Sequence, residues 1–152
     1  MYFVDRKKIE EILTYMDHLY NAFPEAKLAA STVEQLALER IAQGWVEGMI
    51  DVGNQMIDGF IMRDPGSYED ILDILEDEQV IPSEETKGLK EVLTLRKDLV
   101  QHYTKIKHDV FRNKISEQEA AVKNFPDRIR TYLEKELGPV SAFLPDEKEM
   151  EE

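Results

Sequence analysis

The chain has 152 residues, 42% apolar and 34% charged, with no cysteine. That length suits one globular domain with a real core, and the missing cysteines exclude disulfide scaffolds, thiolate metal sites and cysteine nucleophiles. Lys and Arg number 19 against 32 Asp and Glu, a net charge of −13, which argues against coating nucleic acid or an anionic membrane through whole-body charge but leaves room for a local basic surface.

The N-terminal MYFVDRKKIEEIL is charged within six residues and lacks the apolar core of a signal peptide. No later run approaches the roughly 18 apolar residues of a spanning helix, so a cytoplasmic location and no membrane partner are expected.

Ile9, Ile12, Leu13, Met16, Leu19, Tyr20 and Phe23 recur at spacings of three and four. They predict an amphipathic helix over residues 5 to 22, opened at Asp5 and closed before Pro24. Ser31-Thr32-Val33-Glu34 has capping-box spacing ahead of a long second helix reaching about Met62. Leu36, Ile41, Trp45, Val52, Met56 and Phe60 are among its apolar positions. Four glycines also lie on it, each costing about 1 kcal/mol against alanine. Gly44 and Gly48 are four apart on one face, which points to close approach of another helix, with a bend as the alternative.

Asp64-Pro65-Gly66 is a turn, and Ser67 caps a third helix to about residue 78. Ile81-Pro82 breaks the chain before Ser83 opens a fourth, whose stripe is Leu89, Val92, Leu93, Arg96, Leu99, Val100 and Tyr103. A last helix is expected from a cap at Ser116 through Leu137, kinked or restarted at Pro126 and stopped by Gly138-Pro139. The acidic tail from Asp146 is expected to be disordered, leaving residues 1–145 as a single domain. An all-α, up-and-down bundle of about five helices follows.

Arg96 breaks the fourth stripe, seven residues after Leu89 and seven before Tyr103. A cation there needs an anion, either a carboxylate in the core or at an interface, or a phosphate ligand. His102, near Leu95, Leu99 and Ile106 on an adjacent stripe, is either a packed, hydrogen-bonded residue or a proton-transfer group. Residues 87–114 carry eight Lys and Arg against three Asp and Glu, a net +5, while the rest of the chain is −18. Such an island suits a phosphodiester, or else is a solvated face balancing acidic neighbours. On the second helix Arg40, Gln43, Glu47, Asp51, Asn54 and Asp58 form a polar stripe that either faces water or lines a cleft or dimer surface opposite the basic segment. No Glu-x-x-His, phosphate loop, Gly-x-Ser-x-Gly or His-Glu-x-x-His motif occurs, and no metal or other cofactor is expected.

Arg96-Lys97-Asp98-Leu99-Val100-Gln101-His102-Tyr103 resembles the signature of the HEPN superfamily, specifically its HepT-like toxin branch and the YutE type within it. Residues Ala37-Leu38-Glu39-Arg40-Ile41-Ala42-Gln43, Pro65-Gly66-Ser67-Tyr68-Glu69-Asp70-Ile71 and Val80-Ile81-Pro82 extend the likeness over most of the chain. The resemblance implies a helical bundle that dimerises so that two signatures meet in a cleft, forming a metal-independent endoribonuclease. It implies an RNA substrate and a nucleotidyltransferase antitoxin, which in some systems adenylylates the signature tyrosine. Carried over by residue, Arg96 stabilises charge on the scissile phosphate and His102 is the general acid or base toward the 2′-hydroxyl. Tyr103 is the modified or RNA-contacting tyrosine, with Lys97 and Lys105 as further RNA contacts.

The common signature has Asn after the Arg and His five positions beyond it. Here Lys97 and Gln101 occupy those places and His102 lies one step later, while Tyr103 keeps its distance from Arg96. Two further readings therefore stand beside the nuclease. One is a catalytically degenerate dimeric module binding nucleotide, RNA or a partner protein; the other is an assembly subunit in which Arg96 closes an interface ion pair. If residues 96–103 form one continuous helix, Arg96 and His102 point some 120° apart whereas Arg96 and Tyr103 share a face.

Overall fold

The computed structural model describes residues 3–138, which fold into seven α-helices. They are α1 (Arg6–Ala26), α2 (Thr32–Gly59), α3 (Tyr68–Asp77), α4 (Ser83–Leu93), α5 (Leu95–Gln101), α6 (His108–Glu117) and α7 (Glu119–Leu137). The expected tail from Asp146 lies outside the described residues. None of the described helices is long and apolar enough to cross a membrane.

Local chemistry fixes the first three starts. The Asp5 carboxylate accepts from the Lys8 N–H at 2.9 Å, Ser31 and Glu34 complete the capping box, and the Ser67 hydroxyl accepts from the Asp70 N–H at 3.0 Å. Each satisfies an amide that the first helical turn leaves unpaired.

Helix α2 is the scaffold. Half of its 28 residues are buried, and it packs against α1, α3, α4, α5 and α6. Trp45 is fully buried, stands edge-on to Phe23 with ring centroids 5.3 Å apart, and donates from its indole N–H to the Met16 carbonyl at 3.3 Å. The glycine pair works by close approach. A Cβ at Gly44 would collide with Leu19, and one at Gly48 would lie 2.7 Å from the Met16 sulfur, so α1 sits where side chains on that face of α2 would otherwise stand.

Several boundaries differ from the sequence expectation. Helix α1 runs through Pro24 to Ala26, because Phe23 and Ala26 continue its buried stripe and packing outweighs one lost backbone bond. Helix α2 stops at Gly59, short of Met62, where Ile61 turns to a φ of 56° and the Met62 N–H returns to the Ile57 carbonyl. The expected fourth helix is two, divided at Thr94, whose hydroxyl donates back to the Glu91 carbonyl at 2.6 Å. It ends at Gln101 rather than passing through Tyr103, and an unforeseen α6 follows. Ser116 lies inside α6 and does not cap the last helix; α7 begins after Gln118 with no side-chain cap and runs through Pro126 to Leu137, where Gly138 is its C-cap. The bundle thus has seven helices where about five were expected.

Candidate functional site

The residues singled out in the signature divide between two environments. Arg96, on the first turn of α5, faces α2 and α3. Its Nε donates to Glu47 Oε1 at 3.0 Å, and its guanidinium carbon lies 4.7 Å from the centre of the Tyr68 ring. The side chain retains 31% of its exposure, so it lies half-buried at the surface rather than in the core. Nη1 and Nη2 have no hydrogen-bond partner among the described residues. The carboxylate partner expected for an arginine on an apolar stripe is therefore present, within the same chain. Glu47 is the half-buried member of the α2 polar stripe, while Arg40, Gln43, Asp51, Asn54 and Asp58 are exposed.

His102 and Tyr103 lie beyond the end of α5, in the 102–107 connection to α6. The continuous-helix arithmetic for Arg96, His102 and Tyr103 therefore does not hold, since the helix stops one residue before the histidine. His102 caps α5 through its N–H to the Asp98 carbonyl, and its Nδ1 lies 3.3 Å from Asp98 Oδ1. Half of its side chain is exposed, which removes the packed-core reading. The Asp98 contact engages Nδ1 and leaves Nε2 without a hydrogen-bond partner among the described residues, an arrangement by which a carboxylate can orient an imidazole for proton transfer.

Next to His102 is a cleft of about 550 Å³ between α5, the 102–107 connection and α6. Lys105, Lys107 and Lys114 line it with Gln101 and the apolar floor of Leu95 and Phe111, against the single carboxylate of Asp98. Lys114 is held in place by donating to the Thr94 hydroxyl at 3.2 Å, at the joint between α4 and α5. A concave surface with three ammonium groups, a histidine and an aromatic floor can receive an anionic, partly apolar ligand such as a nucleotide. His102 and Lys105 thus share one cleft. Arg96, Lys97 and Tyr103 are not part of its lining; Lys97 is exposed on α5, and Tyr103, next to His102 in sequence, is 66% exposed.

The sequence reading missed Tyr68 as a site residue, and it did not single out Lys107 and Lys114 from the basic island. The island's charge pointed to those lysines without saying which share a concavity, whereas Tyr68 gave no signal beyond its place after a cap. No group of three or more His, Asp or Glu side chains placed to hold a metal ion occurs among the described residues.

Residues 7–129 match the profile of the family described as ribonuclease HepT-like. YutE of Bacillus subtilis (strain 168), provisionally named an RNase, is 49% identical over 143 residues, spanning 94% of this chain and 99% of that protein. The solved YutE structure, described as a cytosolic protein of unknown function, superposes with a TM-score of 0.88 at 48% identity, over 94% of this chain and all of that one. The tri-AMPylated Shewanella oneidensis HEPN toxin in complex with its MNT antitoxin shares the fold, with a TM-score of 0.71 at 17% identity over 81% of this chain and 96% of the toxin. The profile match covers most of the chain, and the long alignment to YutE agrees with it: the protein belongs to the ribonuclease HepT-like family.

Proposed function

We propose that the chain is a metal-independent endoribonuclease of the HepT-like type, the toxin of a pair with a nucleotidyltransferase antitoxin, acting in the cytoplasm as a homodimer. The observation that carries this is the lysine-lined cleft with His102 at its edge, in a protein of this family. RNA enters with its backbone against Lys105, Lys107 and Lys114. His102, oriented through Asp98, takes the proton from a 2′-hydroxyl as its oxygen attacks the adjacent phosphorus. The bond to the 5′-oxygen of the next nucleotide breaks, leaving a cyclic phosphate, and the leaving oxygen takes up a proton. Arg96 faces the charge that builds on the phosphoryl oxygens. Because Arg96 does not line the cleft of its own chain, the working site is completed across a dimer axis, with Arg96 from one copy and His102 from the other. Tyr103, exposed and next in sequence to His102, is accessible to a nucleotidyltransferase, and an adenylyl group there adds bulk and negative charge close to the histidine.

The second reading is a binding module without turnover, favoured by Gln101 at the place where the signature's histidine usually stands. Purified protein, verified by intact mass to carry no adduct, decides between them when incubated with RNA in EDTA beside Arg96→Ala and His102→Ala. Cleavage that both variants lose, with dimerisation retained, establishes the nuclease. An intact RNA panel with retained binding establishes the module.

A further inference from the structure

The arginines of this protein are not held alike. Arg63 grips Asp70 through both terminal nitrogens at 2.6 and 2.8 Å. Arg128 engages Glu85 through Nε and Nη2, and Arg130 uses Nε, Nη1 and Nη2 on acidic neighbours. Those are structural ion pairs in which the fork is occupied. Among the described arginines, Arg96 is the only one hydrogen-bonded through Nε alone. Glu47 takes the inner nitrogen, and the guanidinium carbon lies over the Tyr68 ring, 4.7 Å from its centre. Two contacts from two different helices therefore hold it in place while the terminal nitrogens stay unbonded among the described residues.

We infer that Glu47 and Tyr68 are positioning residues that present the Nη edge of Arg96 to an RNA phosphodiester; this deepens the nuclease reading and rests on its assignment of Arg96 to the phosphate. Both supports are themselves fixed. Glu47 is on α2 between the buried Val46 and Gly48, and Tyr68 follows the Ser67 cap on the first turn of α3. All three side chains keep surface access, so a ligand reaches the edge without opening the fold. An unheld arginine would lose rotamer freedom on meeting the phosphate; here that ordering is already made, and only Nη1 and Nη2 remain to be bonded. A carboxylate that instead competed with RNA would be expected on the terminal nitrogens, where bidentate recognition takes place.

Charge-matched pairs separate positioning from bulk electrostatics. Glu47→Gln and Glu47→Ala both remove the anion, but only Gln keeps an acceptor for Nε. Tyr68→Phe and Tyr68→Leu are both neutral, but only Phe keeps the ring. Binding of a fluorescein-labelled, mixed-sequence 2′-O-methyl oligoribonucleotide is measured by anisotropy for each variant, with Arg96 intact and in an Arg96→Ala background, after circular dichroism has verified folding. The expected result is that Arg96→Ala binds about tenfold more weakly. Gln should bind about threefold more tightly than Ala at position 47, and Phe likewise against Leu at 68, with both preferences vanishing once Arg96 is gone. Equal binding by Gln and Ala, preferences that persist without Arg96, or no loss on Arg96→Ala overturns the inference. Because this oligonucleotide is not cut, the binding result is independent of turnover. Intact RNA in EDTA together with a positive cycle would fail the nuclease reading alone, whereas cleavage that needs Arg96 together with a negative cycle would fail this inference alone.

Discussion

The surroundings of Arg96 and the connection around His102 are six residues apart in sequence and differ in almost every physical respect. Arg96 is gripped by side chains from α2 and α3, and one of those supports stands on a helix half of whose residues are buried. His102 is held by its immediate sequence neighbours: its N–H and ring both return to Asp98, and the Lys105 N–H bonds the His102 carbonyl at 3.0 Å. The contrast teaches that one short signature divides its labour. Arg96 is tied into the architecture by other helices, while His102, the proposed proton-transfer group, and Tyr103 stand on an exposed connection between two helices.

The strongest way to break that contrast is Arg96→Lys. Lysine keeps the charge but has no Nε in a planar fork, so it cannot bond Glu47 and present a second edge at once. RNA cleavage should fall about 100-fold, close to the loss from alanine, because the donors aimed at the developing charge are gone. Single-turnover rates at saturating RNA check this; a lysine variant within a few-fold of the parent would show that charge alone suffices and that the clamp is incidental.

Next in size is a packing change behind the clamp. Gly53 on α2 faces α3, and a Cβ there would overlap Ile71 Cγ2. Ile71 is 3% exposed and β-branched, so it has little freedom to move. Overpacking costs about 1 to 3 kcal/mol, offset by about 1 kcal/mol of helix propensity. Gly53→Ala should therefore lower Tm by a few degrees, read by thermal melting. Tyr68 lies one turn before Ile71, so cleavage should fall with it, whereas binding at the lysine cleft should not. A Tm at or above the parent's would mean that α3 can retreat without consequence.

Much of this frame was legible in the sequence. Gly44 and Gly48 announced a close helix contact, and Asp5, Ser31 and Ser67 marked three helix starts, because caps and close packing are local or periodic signals. Arg96 announced itself by standing where leucine would pack better, and Glu47 stood on the opposing polar stripe. Their pairing spans 49 positions and needed the fold. The end of α5 was invisible, since Gln101-His102-Tyr103-Thr104 contains no glycine or proline to mark it. Helix α6 was missed because α6 buries only Phe111 and Ile115, too sparse a stripe to stand out.

A smaller effect sharpens the contrast through pH. The Asp70 carboxylate receives Arg63 and the Gly66 N–H, and together, Arg63 first, they hold its pKa at about 2 against an ordinary 3.8. The folded state thus favours the ionised form, and this stabilisation is present above pH 3.8 and lost as pH falls toward about 2. Asp70 closes the turn that sets the first residues of α3, Tyr68 among them. Asp70→Asn should lower Tm near neutral pH, with the gap to the parent closing across that acid window. A gap that stays constant at low pH would assign the effect to lost hydrogen bonding rather than to ionisation.

The smallest expected effect tests the displayed side. Lys105→Ala removes one ammonium from the cleft wall and nothing from the bundle. For single-stranded RNA, one lost phosphate contact should reduce the slope of log affinity against log salt by about 0.7 and weaken binding a few-fold at moderate salt. Lys123→Ala, exposed on α7 and outside the cleft, removes the same charge from the protein and is the matched control. If both variants shift the slope equally, RNA responds to overall charge and the cleft has no special standing. If only Lys105 does, the RNA backbone runs past His102, and the connection between α5 and α6 is where the nucleic acid meets the protein.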